Sequence, residues 1–166
     1  MNNFLLLYFR SFYLLITSYI IKFFLLSKGI KVGKNFKCEA FPNITLYKKS
    51  KFIIGDNFYL CSDVEFRVLE GSTIQIGNNC KIDRGSRLIS CNSSLIKIDD
   101  GTVIGCYSIV NAGEDILIGE KCLISGFVYL QSSSHGKEIN YYIRDQKHSY
   151  GKIVIEDDVW IGAHSV

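Results

Sequence analysis

The chain has 166 residues, of which 48% are hydrophobic and 21% are charged, and its formal net charge is +3. This length is typical of a single domain. Residues 1–38 contain six basic and no acidic residues, whereas residues 39–166 contain thirteen basic and sixteen acidic residues. The longer part therefore lacks the basic stripe that nucleic-acid binding requires, and we expect no DNA or RNA partner.

Residues 1–30 form an apolar and basic segment that predicts a helix. The longest uncharged run, residues 11–21, has eleven residues, which is short of the roughly 18–20 that cross a bilayer. No small-residue cleavage site follows, which argues against a signal peptide. Three interpretations remain open: a helix in a membrane interface, a cap over the next domain, or a spanning anchor.

One sequence pattern recurs six times in residues 31–166, and this region is predicted to be the second unit of the chain. The lead aliphatic residues are spaced by 22, 22, 22, 20 and 37 positions: Val32, Ile54, Ile76, Ile98, Ile118 and Ile155. Such self-similarity is the signature of a solenoid. Within the copies an aliphatic recurs every six residues, which suits a triangular coil of short strands joined by Gly, Asn and Asp corners.

Three of the copies carry a resemblance to a known family. Residues 76–81, 118–123 and 159–163 (IGNNCK, IGEKCL and VWIGA) resemble the hexapeptide repeats of left-handed β-helix acyltransferases. The resemblance covers about residues 30–166 and implies an all-β fold, a left-handed parallel β-helix, preceded by the N-terminal apolar helix. It is closest in type to sugar O-acetyltransferases of the maltose, galactoside, colanic-acid or capsule kind.

The resemblance implies a function and its partners. We expect an acetyl group to move from acetyl-CoA to a sugar hydroxyl during capsule, exopolysaccharide or O-antigen biosynthesis. The expected assembly is a homotrimer with its pockets between subunits, and the expected location is the cytoplasm, at the inner face of the cell membrane. Residues 1–28 would supply the membrane contact.

The final, longer interval places an excursion from the coil at residues 131–152. Long loops on a rigid scaffold usually carry function, and His135 lies where this one begins. An imidazole with a pKa near 6.5 suits proton removal at neutral pH. In the resembled enzymes a His precedes Trp-Ile-Gly by about 24 residues, and here His135 precedes Trp160 by 25. His135 is therefore the predicted catalytic base, with His148 and His164 as the other candidates.

The remaining site residues are implied by the resemblance and by the loop. The predicted substrate-binding residues are Trp160, Ser134, Asn111 and Tyr107, and the predicted cofactor-binding residues are Gly162 and Ala163.

This chain departs from the family pattern near the end of the loop. Relatives have a carboxylate there, whereas this sequence has Lys147 followed by His148. A carboxylate that orients the catalytic base would then be Glu138 or Asp145, and the sequence leaves that choice open.

Metal chemistry is the first alternative class. The six cysteines form no CxxC pair, which is typical of reduced structural thiols in the cytoplasm. A zinc site like that of γ-type carbonic anhydrases needs two histidines about five residues apart. The three histidines here are 13 and 16 residues apart, so we expect no metal.

Other functions on the same scaffold also remain open. They are a serine or amino-sugar acetyltransferase, and a non-catalytic scaffold or inactive truncated enzyme. The last coil begins at Ile155 and the sequence stops at Val166. Because the resembled enzymes continue for further coils, we expect a chain that is truncated at its C-terminus.

Overall fold

A computed structural model describes the backbone of residues 3–166 and the side chains from residue 11 onward. Within these residues there are one α-helix, α1 (Asn3–Ser27), and one 3₁₀ turn, η1 (Ile143–Asp145). The strands in chain order are β1 (Lys31–Val32), β2 (Lys37–Cys38), β3 (Asn43–Leu46), β4 (Lys51–Ile54), β5 (Tyr59–Leu60), β6 (Glu65–Val68), β7 (Thr73–Ile76), β8 (Lys81–Ile82), β9 (Arg87–Ser90), β10 (Leu95–Ile98), β11 (Val103–Ile104), β12 (Ile109–Ala112), β13 (Ile116–Ile118), β14 (Leu123–Ile124), β15 (Tyr129–Gln131), β16 (Ser133–His135), β17 (His148–Tyr150), β18 (Ile153–Ile155) and β19 (Trp160–Ile161).

Successive strands enter three parallel sheets in turn. The first sheet has the order β1-β4-β7-β10-β13-β18, the second β2-β5-β8-β11-β14-β19, and the third β3-β6-β9-β12-β15. Each coil therefore contributes one short strand to each side of a triangle and hydrogen-bonds to the coils above and below. The predicted fold class, a left-handed parallel β-helix of hexapeptide repeats preceded by an apolar helix, is confirmed.

The lead aliphatic residues stack in a single column of the first sheet. Strand pairing aligns Val32 with Ile54, and the alignment continues through every later lead residue to Ile155. The insertion before the last coil therefore leaves the register unchanged. Buried aliphatic side chains line the interior, and the early coils also bury Phe52, Phe58 and Phe66. The large buried aromatic rings of the interior therefore lie towards its N-terminal end.

The corner between the first and second sheets depends on residues that accept left-handed backbone angles. Asn35, Asn57 and Asn79 have φ of 52°, 57° and 56°, a conformation that Asn adopts more readily than most residues. Their amides form a ladder: Asn35 Nδ2 donates to Asn57 Oδ1 at 2.9 Å, and Asn57 Nδ2 donates to Asn79 Oδ1 at 2.9 Å. The polar corner residues thus both permit the turn and connect successive coils.

Helix α1 packs on the first coil of the solenoid. Ile21 and Leu25 are fully buried and join the core that continues into the coils. Ser18 Oγ accepts a hydrogen bond from Cys38 N at 2.9 Å, which supplies a partner to a strand-edge amide. The packing covers the edge of the first coil, and the choice between a cap and a membrane-interface helix stays a prediction. Among residues 3–166, no helix combines the length and the hydropathy needed to cross a membrane.

Candidate active site

The excursion predicted from the last interval is an antiparallel hairpin on the edge of the third sheet. Strands β16 and β17 pair Ser133 with Tyr150, Ser134 with Ser149, and His135 with His148. Because residues directly opposite in an antiparallel pair point to the same face, both imidazoles lie on one side of the hairpin. The backbone amide of Gly136 donates to the Lys147 carbonyl at 3.1 Å and extends the pairing towards the tip.

The two imidazoles are in direct contact. The ring centroids of His135 and His148 lie 4.2 Å apart with planes inclined by 48°, and the His148 ring is 6.1 Å from that of Tyr150. Both histidines are exposed, so a substrate hydroxyl can reach either ring. A neutral imidazole nitrogen accepts a proton from a hydroxyl held within hydrogen-bond distance, and the hairpin presents two such rings together.

Neither candidate carboxylate, Glu138 or Asp145, forms a hydrogen bond with His135 among the side chains that the structure describes. Asp145 lies in η1 and forms an ion pair with Arg144 at 3.6 Å, and the backbone amide of Glu138 donates to Gln146 Oε1 at 2.9 Å. Within residues 3–166, no hydrogen bond joins either carboxylate to His135. The choice between the two carboxylates stays a prediction, and the neighbour that the His135 ring contacts is His148.

Ser132 anchors the hairpin and was missed by sequence reasoning. It is 3% exposed, and its hydroxyl accepts hydrogen bonds from the backbone amides of Gly113 and Glu114, both at 3.0 Å. The same hydroxyl donates to the Glu114 carbonyl at 2.7 Å. The chain therefore leaves the coil at a fixed point. Its position within a run of three serines gave no signal that this hydroxyl, and not its neighbours, would be buried.

Two of the predicted substrate-binding residues lie near the hairpin. Ser134 is on β16 next to His135, and its hydroxyl donates only to the adjoining carbonyl, at 3.4 Å. Asn111 is on β12, aligned with Gln131 of β15 at the base of the hairpin, and its carbonyl accepts from Ser132 N at 3.2 Å. The structure thus places these two positions with His135 at one end of the third sheet.

The other predicted site residues occupy a different part of the triangle. Trp160 is on β19 of the second sheet, 74% exposed, and its Nε1 donates to Ser125 Oγ at 3.0 Å. Gly162 and Ala163 follow β19 in the same coil. A single chain therefore does not bring these three positions beside the histidine pair.

Tyr107 belongs to an aromatic column at the corner between the second and third sheets. Its ring stacks on Phe127 at 5.3 Å, and Phe127 stacks on His164 at 5.0 Å. All three have positive φ, between 56° and 61°, a conformation that is uncommon for bulky side chains. The Tyr107 ring also covers Gly85, where an added Cβ would meet ring carbons at 2.4 Å. His164 is therefore part of a stack on the corner, whereas His135 and His148 form the hairpin pair.

Tyr107 also lines a concave region with a volume of about 730 Å³. Its lining residues are Glu39, Tyr59, Cys61, Lys81, Asp83, Arg84, Cys106 and Tyr107. Burial, a hydrogen bond with Asp83 and the charges of Asp83 and Glu39 raise the pKa of Cys61 to about 12. Lys81 forms an ion pair with Asp83 at 3.1 Å, and the Tyr59 hydroxyl donates to Glu39 at 2.9 Å. These groups satisfy one another, so we interpret the region as structural.

A charged cluster of the same kind stabilises the outer face of the third sheet. Glu65 accepts from Arg67 Nε at 2.7 Å and from Arg87 Nε at 2.5 Å. Burial alone raises the pKa of Glu65, but the hydrogen bonds from the two arginines outweigh it, so the pKa lies below its ordinary value. Among the side chains that the structure describes, no three His, Cys, Asp or Glu residues lie close enough to hold a metal ion.

The coils define the class of protein as a parallel β-helix built from hexapeptide repeats. No model of a protein family and no curated protein sequence matches the chain. Among solved structures, it is similar to the polysialic acid O-acetyltransferase OatWY, with 15% sequence identity over 81% of this chain and 69% of that chain. The TM-score is 0.36, and the overlap transfers no residue role to this chain.

Proposed function

We propose that the protein is an acetyltransferase that moves an acetyl group from acetyl-CoA to a hydroxyl of a sugar, with His135 as the general base. The observation that carries the proposal is the hairpin of β16 and β17. It departs from an otherwise regular solenoid and presents the exposed His135 ring 4.2 Å from that of His148. The hexapeptide pattern of the coils supports acetyl-CoA as the donor.

The proposed reaction uses one proton acceptor. A nitrogen of the neutral His135 ring removes the hydroxyl proton while the hydroxyl oxygen attacks the thioester carbonyl carbon. Collapse of the tetrahedral intermediate breaks the carbon–sulfur bond, and the imidazolium returns its proton to the departing thiolate. The products are the acetyl ester and free CoA. In this proposal, a backbone amide at the mouth of the hairpin, next to Ser134, would stabilise the oxyanion.

The proposed assembly is a homotrimer that completes the site between subunits. In one chain, His135 lies on the hairpin that follows the third sheet, whereas Trp160 lies on the second sheet and is followed by Gly162 and Ala163. A neighbouring subunit that packs its second sheet against this hairpin would bring the two groups together. We propose the cytoplasm as the location and glycan biosynthesis (capsule, exopolysaccharide or O-antigen) as the process, because acetyl-CoA and activated sugars are available there.

The test is the release of CoA thiol from acetyl-CoA with a panel of sugars, sugar nucleotides, glycan fragments, amino sugars and serine. We expect acceptor-dependent release with a sugar hydroxyl, and a loss of about 10²-fold or more in kcat for His135→Ala. Gln75→Ala, on the exposed face of β7, is the control and should keep full activity.

Three outcomes would change the proposal. Loss of activity in His148→Ala with activity retained in His135→Ala would move the base to His148. Activity confined to amino sugars or to serine would change the acceptor class. An absence of release with every acceptor, together with no binding of acetyl-CoA, would favour a non-catalytic scaffold.

A further inference from the structure

Helix α1 has two faces of opposite character, and only one of them is covered by the solenoid. Ser18, Ile21 and Leu25 are buried against the first coil. Lys22 Nζ donates to the Gly33 carbonyl at 2.5 Å and fastens the middle of the helix to the same coil. The helix is therefore held along the end of the solenoid and does not project from it.

The opposite face exposes a continuous row of large apolar side chains. They are Phe12, Tyr13, Leu15, Ile16, Tyr19, Ile20, Phe23 and Leu26, with exposures from 43% to 76%. No charged side chain interrupts this face between residues 12 and 26, because Lys22 is on the face that contacts the coil. An exposed apolar surface of this extent is unusual for a soluble chain and marks a contact surface.

The surroundings of this face are strongly basic. Residues 1–51 contain nine lysines and arginines and one acidic residue, Glu39, whereas residues 52–166 contain ten basic and fifteen acidic residues. The net charge is thus +8 at the helical end and −5 over the rest. This separation follows the solenoid axis, because eight of the nine basic residues at this end belong to α1, the turn after it and the first coil, and the ninth, Lys51, begins the second coil.

A cavity beside the helix has both apolar and positively charged walls. It has a volume of about 670 Å³ and lies between α1 and the corner of the first two coils. Lys22, Lys34 and Lys37 contribute its cationic lining, and Leu15 and Phe58 contribute apolar walls. Such a lining suits the phosphate of a lipid headgroup together with the upper part of its acyl chain.

We propose that the exposed face of α1 lies in the interface of an anionic phospholipid membrane, with Lys34 and Lys37 among the lipid phosphates. An amphipathic helix of this kind inserts its apolar side among the headgroups, and basic residues add electrostatic attraction. A second copy of the chain is the competing occupant. Two such ends would each bring a net charge of +8 to the contact, so they repel, whereas an anionic surface is complementary. The inference does not depend on acetyl transfer.

The experiment is flotation of the full chain with two kinds of vesicle, pure phosphatidylcholine and a mixture of phosphatidylcholine with phosphatidylglycerol. Each basic side chain near an anionic surface strengthens binding about fivefold. We therefore expect at least tenfold tighter binding to the anionic vesicles. Lys34→Glu with Lys37→Glu should remove most of that preference.

The matched control is Lys121→Glu with Lys152→Glu, which changes the net charge equally at exposed positions in the fifth coil and at the end of the excursion. It should bind as the wild type does. Ile16→Ser with Phe23→Ser should weaken binding to both vesicles at least tenfold, because both side chains are exposed in the free protein and their loss leaves the core intact.

The inference is overturned if the wild-type protein does not bind the anionic vesicles. It is also overturned if the charge-matched control loses as much of the preference for anionic vesicles as Lys34→Glu with Lys37→Glu does. Sedimentation velocity addresses the competing occupant. The membrane proposal is wrong if the wild-type chain binds neither kind of vesicle and the double substitution Ile16→Ser with Phe23→Ser reduces the oligomeric state. The exposed face of α1 would then be a contact between copies of the chain.

Discussion

Substitution of Ser132 by alanine should loosen the candidate catalytic hairpin. The Ser132 hydroxyl makes three hydrogen bonds to the backbone of Gly113 and Glu114. Alanine removes all of them in a pocket where the side chain is 3% exposed. The amide of Gly113 is buried and loses its partner, whereas Glu114 is exposed and its groups can bind water.

The magnitude follows from this difference between the two amides. A buried donor left without a partner costs about 1–3 kcal/mol, and the rehydrated groups of Glu114 add little. We therefore expect Ser132→Ala to lower the free energy of unfolding by about 2 kcal/mol. For a chain of this size, that corresponds to a fall in Tm of roughly 4–8 °C.

The assay compares Ser132→Ala with Ser134→Ala by thermal denaturation and by amide hydrogen exchange. Ser134 is exposed and its hydroxyl contacts only the adjoining carbonyl, so its loss should change stability by less than about 0.5 kcal/mol. Faster exchange in β16 and β17 should accompany the loss of Ser132. Equal stability of the two variants, within that margin, would show that the anchor contributes nothing and refute the reasoning.

Two further substitutions test the electrostatics and the corners of the coils. Glu65→Gln should cost about 1 kcal/mol at pH 7, because its half-exposed arginine partners remain solvated. The lowered pKa of Glu65 makes a contribution to stability that is fully present above the unfolded-state pKa and is lost as pH falls through the folded-state pKa. The difference in stability from wild type should therefore narrow as the pH is lowered from 7; a difference that grows on acidification would contradict this. Gly85→Ala should lower Tm more than Gly71→Ala. Both glycines have positive φ, 71° and 77°, but only at Gly85 would the new Cβ meet a ring, that of Tyr107, at 2.4 Å; equal Tm values would exclude the overlap as the cause.

The coils could be predicted from the sequence because their determinants are local and periodic. The lead column from Val32 to Ile155 needs only the spacing of aliphatic residues, and the structure keeps it in register across the insertion. The corners needed residues that tolerate positive φ, and Asn35 and Asn57 met that condition. Tyr107 and Phe127 adopt the same backbone angles without any such preference, so tertiary stacking replaces local propensity at those corners.

The internal arrangement of the excursion could not be predicted in the same way. The position of His135 followed from the interrupted repeat, but His148 was treated as a competing base because no period relates residues 131–152 to the coil. Their contact depends on antiparallel pairing across a loop of twelve residues. The sequence also could not show which face of α1 is exposed. Apolar residues occupy both sides of the helix, and only the packing shows which side the solenoid covers.

The rigidity of the coils and the chemistry of the hairpin are separable for a physical reason. Every coil satisfies its backbone through the coils above and below, so residues inserted between two coils must satisfy their own backbone groups. Strands β16 and β17 do this by pairing with each other, and that pairing alone sets His135 opposite His148. A slip of one residue in the hairpin would turn His148 to the opposite face while the coil register stayed intact. Because both rings are exposed, His135→Ala should leave Tm unchanged within about 2 °C and affect only the chemistry.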